Sequence, residues 1–241
     1  MNFFYKKLFT ISKKNKHKTA ISLKKKEINF EKFWNSCKET IKILKSNRIK
    51  SLAFIADSKY QDYVLVATCL ISNVTYIPLN KNLPASKIKK ILKNTKIDAI
   101  FEKNKFKKIK KKKKLENIDN QEIAYIIFTS GSTGEPKGVK ISRKSAEHYT
   151  KYLLKLFKNI KDKKFMQFAN LGFDLSVVDV YGSIFSGSEL HVPSEFDRQF
   201  PIKFIKEKKI NIIVCVPSFV DILTISPGLN SNDFKSLKTF F

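Results

Sequence analysis

This sequence predicts an α/β fold with largely parallel sheets, on three observations. Short apolar runs alternate with segments of helical periodicity along the chain. Alternation at these lengths argues for parallel strands joined by right-handed helical crossovers. The 241 residues are 42% hydrophobic and 12% aromatic, enough for a sizeable core and against a disordered chain. No internal repeat interrupts the pattern.

The elements follow in order. Phe30, Phe33, Trp34, Cys37, Ile41 and Leu44 recur at helical spacing and predict an amphipathic helix. Residues 51–56 read as a buried strand. Asp57 and Ser58 are candidate caps for a helix over residues 60–72. Residues 76–79 form a short strand whose proline ends regular pairing. Pro84 opens a helix to about residue 94, in a favoured first-turn position. Strands are predicted over 98–101, 124–128, 139–141, 165–169, 189–192 and 210–216. Helices are predicted over 145–157, 175–185 and 201–208. Residues 237–241 read as a further strand beginning, so truncation is expected.

Charge is the most visible bias. Lys and Arg number 48 and Asp and Glu 21, a formal net of +27. Such a surplus points toward nucleic acid, but only Arg48, Arg143 and Arg198 carry the planar fork that base and phosphate readers favour. Lys, Asn, Ile and Phe are abundant together, as an AT-rich coding sequence would give. Residues 1–120 hold 31 cations and 9 anions, and residues 121–241 hold 17 and 12. Within 103–114, nine of twelve residues are Lys, which reads as a solvated loop, with contact to an anionic partner as the alternative. No apolar run approaches the roughly 18–20 residues of a membrane span, and no signal peptide is apparent. Cys37, Cys69 and Cys215 are far apart and read as buried, reduced thiols of a cytoplasmic protein.

The most informative stretch is Tyr125-Ile-Ile-Phe-Thr-Ser-Gly-Ser-Thr-Gly-Glu-Pro-Lys-Gly-Val139. A strand end followed by small hydroxyl residues and glycines offers N–H and O–H donors in a tight arc, suited to phosphate oxygens. Lys137 adds a point charge. The Walker A pattern is not met, because Gly138 follows Lys137 where Ser or Thr is needed. A flexible linker is the plainer alternative, and the flanking strands argue against it.

The segment closely resembles the phosphate-binding signature of acyl-adenylate-forming enzymes. Tyr76-Ile-Pro-Leu-Asn80 with Pro84, Phe173-Asp-Leu-Ser176 with Gly187 and Leu190, and Val216-Pro-Ser-Phe219 resemble further motifs of that family. Asn80 stands where the family usually has Asp. The likeness runs from about residue 10 to 241. Phe173-Asp-Leu-Ser-Val-Val-Asp-Val-Tyr181 resembles amino-acid adenylation domains, in particular the D-alanine–D-alanyl carrier protein ligase group.

The resemblance implies the N-terminal portion of the large domain of these enzymes, with mostly parallel sheets flanked by helices and the C-terminal part missing. It implies one incomplete AMP-binding domain over 1–241, and ATP with Mg2+ as cofactors. By the resemblance, Thr129, Ser130, Gly131, Ser132, Thr133, Gly134 and Lys137 hold the ATP phosphates. Asp174 holds the α-ammonium of an amino-acid substrate, a charge-assisted pair that a fatty acid would leave unmade. Leu175 and Val178 line the side-chain pocket. Read locally, Asp174 is at least as well explained as a helix N-cap. The activated acyl group passes to a phosphopantetheinylated carrier protein. The family's Tyr-Gly-Pro-Thr-Glu segment, ribose-binding Asp and catalytic Lys are not found in these residues, so little activity is expected of the chain alone.

His17, His148 and His191 share no metal-like spacing and read as surface or packing residues. Tyr149, Tyr152 and Phe157 read as core. Asp179 and Glu189 lie near Asp174 in sequence without forming an argued acid pair. Two other functions stay open: an acyl-CoA ligase of the same fold, and a non-catalytic Lys-rich binder of nucleic acid or anionic membrane.

Overall fold

The computed structural model describes residues 1–24, 26–95, 97–109, 122–130, 136–160, 163–224 and 230–240, with Ser130, Ser231, Asp233 and Phe240 described by backbone alone. The elements run α1 (Phe3–Lys14), β1 (Thr19–Leu23), β2 (Lys26–Asn29), α2 (Phe30–Ser46), β3 (Ser51–Ala56) and α3 (Tyr60–Ile71). Then come β4 (Thr75–Asn80), α4 (Ala85–Asn94), β5 (Ala99–Glu102), β6 (Lys105–Lys108), β7 (Ile123–Ser130), β8 (Pro136–Ser142) and α5 (Arg143–Leu156). The last are β9 (Lys164–Met166), α6 (Ser176–Ile184), β10 (Glu189–Val192), α7 (Glu195–Gln199), α8 (Pro201–Lys208), β11 (Ile212–Ile213), α9 (Pro217–Thr224), a 3-10 turn (Ser231–Phe234) and β12 (Thr239–Phe240). The chain divides into two compact units. Met1–Lys6, Trp34–Tyr149 and Asn170–Asp174 make the first, and Lys7–Phe33, Thr150–Ala169 and Leu175–Phe241 the second.

The first unit holds a six-stranded sheet ordered β6-β5-β3-β4-β7-β8. Its four central strands are parallel, and β6 and β8 fold back antiparallel at the edges. Ala53, Ile77, Leu79, Ile91, Ile97, Ile100 and Ile126 form one core cluster there. Helix α3 packs on β3 and β4. Its residues from Asp62 to Ile71 are all buried, so the helix reads as apolar around its whole girth. It ends at Ser72, and Asn73 follows in the left-handed region, φ 57°, where Asn costs little. Asp57 and Ser58 do not cap this helix. Its N-cap residue is Lys59, and Asp62 reaches back to accept the Lys59 and Asp57 N–H groups at 3.0 and 2.9 Å. Asp57 instead pairs with Lys59 and Lys81, each at 2.9 Å.

The lysine-rich stretch is not wholly a loop. Residues 105–108 form β6, hairpinned onto β5 through Lys103 and Asn104, both at positive φ (49° and 59°). That is the pattern of a two-residue turn whose twist matches its strands. Phe106 packs on Phe101 at 4.8 Å. Residues 110–114 of the run lie outside the described residues.

The second unit repeats the plan with the order β12-β11-β9-β10-β1-β2, parallel except for the β1–β2 pair. Helix α6 packs on β9 and β10. Gly182 lets Phe165 approach, since a Cβ there would sit 2.9 Å from its ring. Gly187 takes φ 77°, and a Cβ would meet Asn15 Nδ2 at 2.5 Å. Phe157 is buried, but Tyr149 and Tyr152 are 38% and 52% exposed, so the predicted core face of α5 is narrower than its aromatic count. Cys37 and Cys69 are buried and Cys215 is half-buried. Burial pushes the Cys37 thiol up to about 12. Among the described residues no helix is long and apolar enough to cross a membrane.

Candidate functional site

The predicted phosphate-binding segment is a hairpin. β7 leaves the parallel sheet beside β4, and β8 returns antiparallel with Thr129 opposite Lys137 and Ser130 opposite Pro136. Thr129 Oγ1 donates to the Lys137 carbonyl at 3.5 Å. Both residues are exposed. Gly131, Ser132, Thr133 and Gly134 lie outside the described residues, as does the side chain of Ser130. Gly138 has a packing reason for being glycine, because a Cβ would stand 3.1 Å from the Phe128 ring and from Ile126. Its smallness serves the neighbouring strand.

Asp174 lies in the same unit, on a turn over residues 170–174. Asn170 Nδ2 donates to the carbonyl of Ala56, the last residue of β3, at 3.1 Å. Asn170 Oδ1 accepts the Gly172 N–H at 2.9 Å, and the Phe173 N–H donates to the Asn170 carbonyl at 2.9 Å. A Cβ on Gly172 would lie 3.2 Å from both the N and Cβ of Asn80, the last residue of β4. The turn therefore rests on the carboxyl ends of two parallel strands, where ligands of open α/β sheets bind. Phe173 and Asp174 are exposed. The Asp174 carboxylate is within electrostatic reach of Tyr125, whose phenol is pushed up to about 12 by burial first and then by Asp174 and Tyr149. Tyr125 stacks on Tyr76 with ring centroids 5.3 Å apart.

Asp174 is not the N-cap of α6. Leu175 holds that position and makes no side-chain cap bond. Leu175 is half-buried and Val178 is 8% exposed, both in the second unit. Sequence reasoning missed Asn170 and Gly172. An Asn two residues before a Gly is a turn signal, but its partners lie more than a hundred residues away.

The remaining candidates form no second site. His17 and His148 are exposed. His191 is buried, and its Nε2 lies 2.8 Å from Glu189. Asp179 is fully buried and accepts the Phe168 N–H at 3.0 Å. Burial holds its carboxyl well above the usual range, with Phe168 and Arg198 opposing in part. Among the described residues no cluster of His, Cys, Asp or Glu could hold a metal ion, so Mg2+ is assigned no ligand here.

Three comparisons place this arrangement. The chain is 29% identical over 190 residues to the D-alanine–D-alanyl carrier protein ligase of Staphylococcus epidermidis, covering 70% of this chain and 39% of the relative. It is 30% identical over 186 residues to that of Staphylococcus aureus strain Newman, covering 69% and 38%. The chain thus spans under two-fifths of the length of these relatives. In fold it is similar to the Vibrio cholerae adenylation domain AlmE, solved with glycyl-adenosine-5'-phosphate, with a TM-score of 0.84 at 20% identity, covering 98% of this chain and 54% of that one. It is also similar to o-succinylbenzoate CoA synthetase from Bacillus subtilis, TM-score 0.77 at 14% identity, covering 97% and 67%. The profile of the AMP-binding enzyme family matches residues 8–241, and with its strand–hairpin signature and its two mostly parallel sheets the chain belongs to that family.

Proposed function

We propose that the chain serves an AMP-forming ligase that activates an amino-acid carboxylate with ATP and passes the acyl group to the phosphopantetheine thiol of a carrier protein, in the cytoplasm. The observation that carries this reading is the likeness, at 29–30% identity, to D-alanine–D-alanyl carrier protein ligases. The substrate carboxylate attacks the α-phosphorus of ATP, forming the acyl-adenylate and releasing pyrophosphate. Thr129, Ser130, Gly131, Ser132, Thr133, Gly134 and Lys137 hold the departing phosphates, where charge neutralisation lowers the barrier. Asp174 receives the α-ammonium, and its exposure on a fastened turn supports that role. Leu175 and Val178 face the substrate side chain. Mg2+ accompanies ATP on its phosphates. The activity is proposed for the polypeptide that joins these residues to a magnesium-binding and a lysine-bearing segment.

ATP–pyrophosphate exchange by the full product of the gene tests the reading, using small amino acids and their deaminated analogues. Exchange confined to acids bearing an α-ammonium is expected. Exchange with fatty or aryl acids alone would select an acyl-CoA ligase instead. No exchange with any acid would overturn the ligase reading.

A further inference from the structure

We propose that Asn170 and Gly172 are positioning residues for Asp174, fastening the turn that carries its carboxylate to the carboxyl ends of β3 and β4. The inference rests on the reading of Asp174 as the ammonium ligand. Three observations converge on it. Asn170 uses both ends of its amide, donating to Ala56 of β3 and accepting from Gly172 within the turn. Its carbonyl takes the Phe173 N–H, which fixes the Gly172–Phe173 peptide, one residue before Asp174. Gly172 is buried against Asn80 of β4 so closely that a methyl group would press on backbone nitrogen. The Asp174 side chain is exposed, and the turn beneath it sets where it starts. An exposed carboxylate on a loose turn spreads over many positions, and pairing it then costs conformational entropy. On a turn tied at two strand ends, that cost is met by the fold. Asn80 takes part from the other side, with its Oδ1 accepting the Asn82 N–H at 2.9 Å, so the surface Gly172 meets is itself held.

The test is binding by the full product of the gene, in the presence of a non-hydrolysable ATP analogue, of D-alanine and of propionate, which lacks only the ammonium. The variants are Asn170→Ala, Gly172→Ala, Asp174→Asn and Asn170→Ala with Asp174→Asn. Asn170→Ala and Gly172→Ala are each expected to weaken D-alanine on the order of tenfold and to leave propionate unchanged. Asn170→Ala added to Asp174→Asn is expected to cost nothing more, because Asn170 acts through Asp174. Equal losses for both acids, or additive losses in the double variant, would overturn the proposal in favour of a merely structural role. Amide exchange at Gly172 and Phe173 separates the two readings. If the unaltered full product does not prefer D-alanine, the ammonium role fails, and the fastening is then judged by exchange alone. Faster exchange at both amides in Asn170→Ala supports the fastening, and unchanged exchange refutes it.

Discussion

The two sheets share a parallel centre, finished by antiparallel strands at both edges in the first and at one edge in the second, and the polar groups of their motifs differ in burial. In the first unit Thr129 and Lys137, paired across β7 and β8, and Asp174, on its turn, stand exposed. In the second, Gln167, Asp179 and His191 are at 0%, 0% and 2% exposure, within the layers. Gln167 gives its amide to the Ala169 carbonyl, and Arg198 donates to the Phe168 carbonyl. Polar groups buried within the layers support structure, and those exposed near strand ends are the ones a ligand can reach. Residue type alone does not tell them apart, since Asp174 and Asp179 sit five positions apart in one motif.

The sharpest way to break this contrast is to cut a residue from each class. Phe165→Ala, at a 0% exposed position packed edge-to-face on Phe157 at 5.2 Å, should cost about 3–5 kcal/mol by chemical denaturation. Asp174→Ala should change stability by no more than about 0.5 kcal/mol. Similar losses from both would remove the distinction.

A second test uses Asp62, one of the buried polar residues of the first unit. Asp62 is 4% exposed, and burial raises its carboxyl from 3.8 to about 6, against the two N–H groups it accepts. A raised acid favours folding fully below about pH 4, and that contribution is lost as pH rises through 6, a swing of about 3 kcal/mol. Stability followed from pH 4 to 7 should fall along that window, and Asp62→Asn should flatten it. An unchanged slope in the variant would assign the pH dependence elsewhere.

Lys137→Ala then probes the available class. ATP affinity, measured by calorimetry, should fall about tenfold while stability stays within about 0.5 kcal/mol. Loss of stability without loss of affinity would move Lys137 into the structural class. The smallest effect is expected of surface pairs such as Lys42–Glu39 and Lys203–Glu207, at 2.9 and 3.9 Å. Breaking either should cost under about 0.5 kcal/mol, and less in high salt.

Local chemistry was readable and distant pairing was not. The bounds expected for β3, β10 and α8 match the structure residue for residue, β3 through its own apolar run and α8 through its proline start. β1 and β2 were missed. Their five- and four-residue spans gain burial by pairing with β10, far along the chain, and each other. Helix α1 was missed although Phe4, Leu8 and Ile11 recur at helical spacing with lysines on the opposite face. The strand expected over 210–216 contracts to Ile212–Ile213. At the site, the loop expected over 129–138 is narrower than predicted, because β7 runs on to Ser130 and β8 begins at Pro136. The fastening by Asn170 and Gly172 could not be seen, because it exists only once β3 and β4 end side by side.

The hairpin of β5 and β6 carries one more consequence. β6 closes its sheet with Lys105, Lys107 and Lys108 exposed, and Lys107 held by Glu102. A foreign strand adding to that border would have to crowd ammonium groups against its own backbone. The lysines that look like a nucleic-acid signal in the sequence act at this border as gatekeepers against self-association.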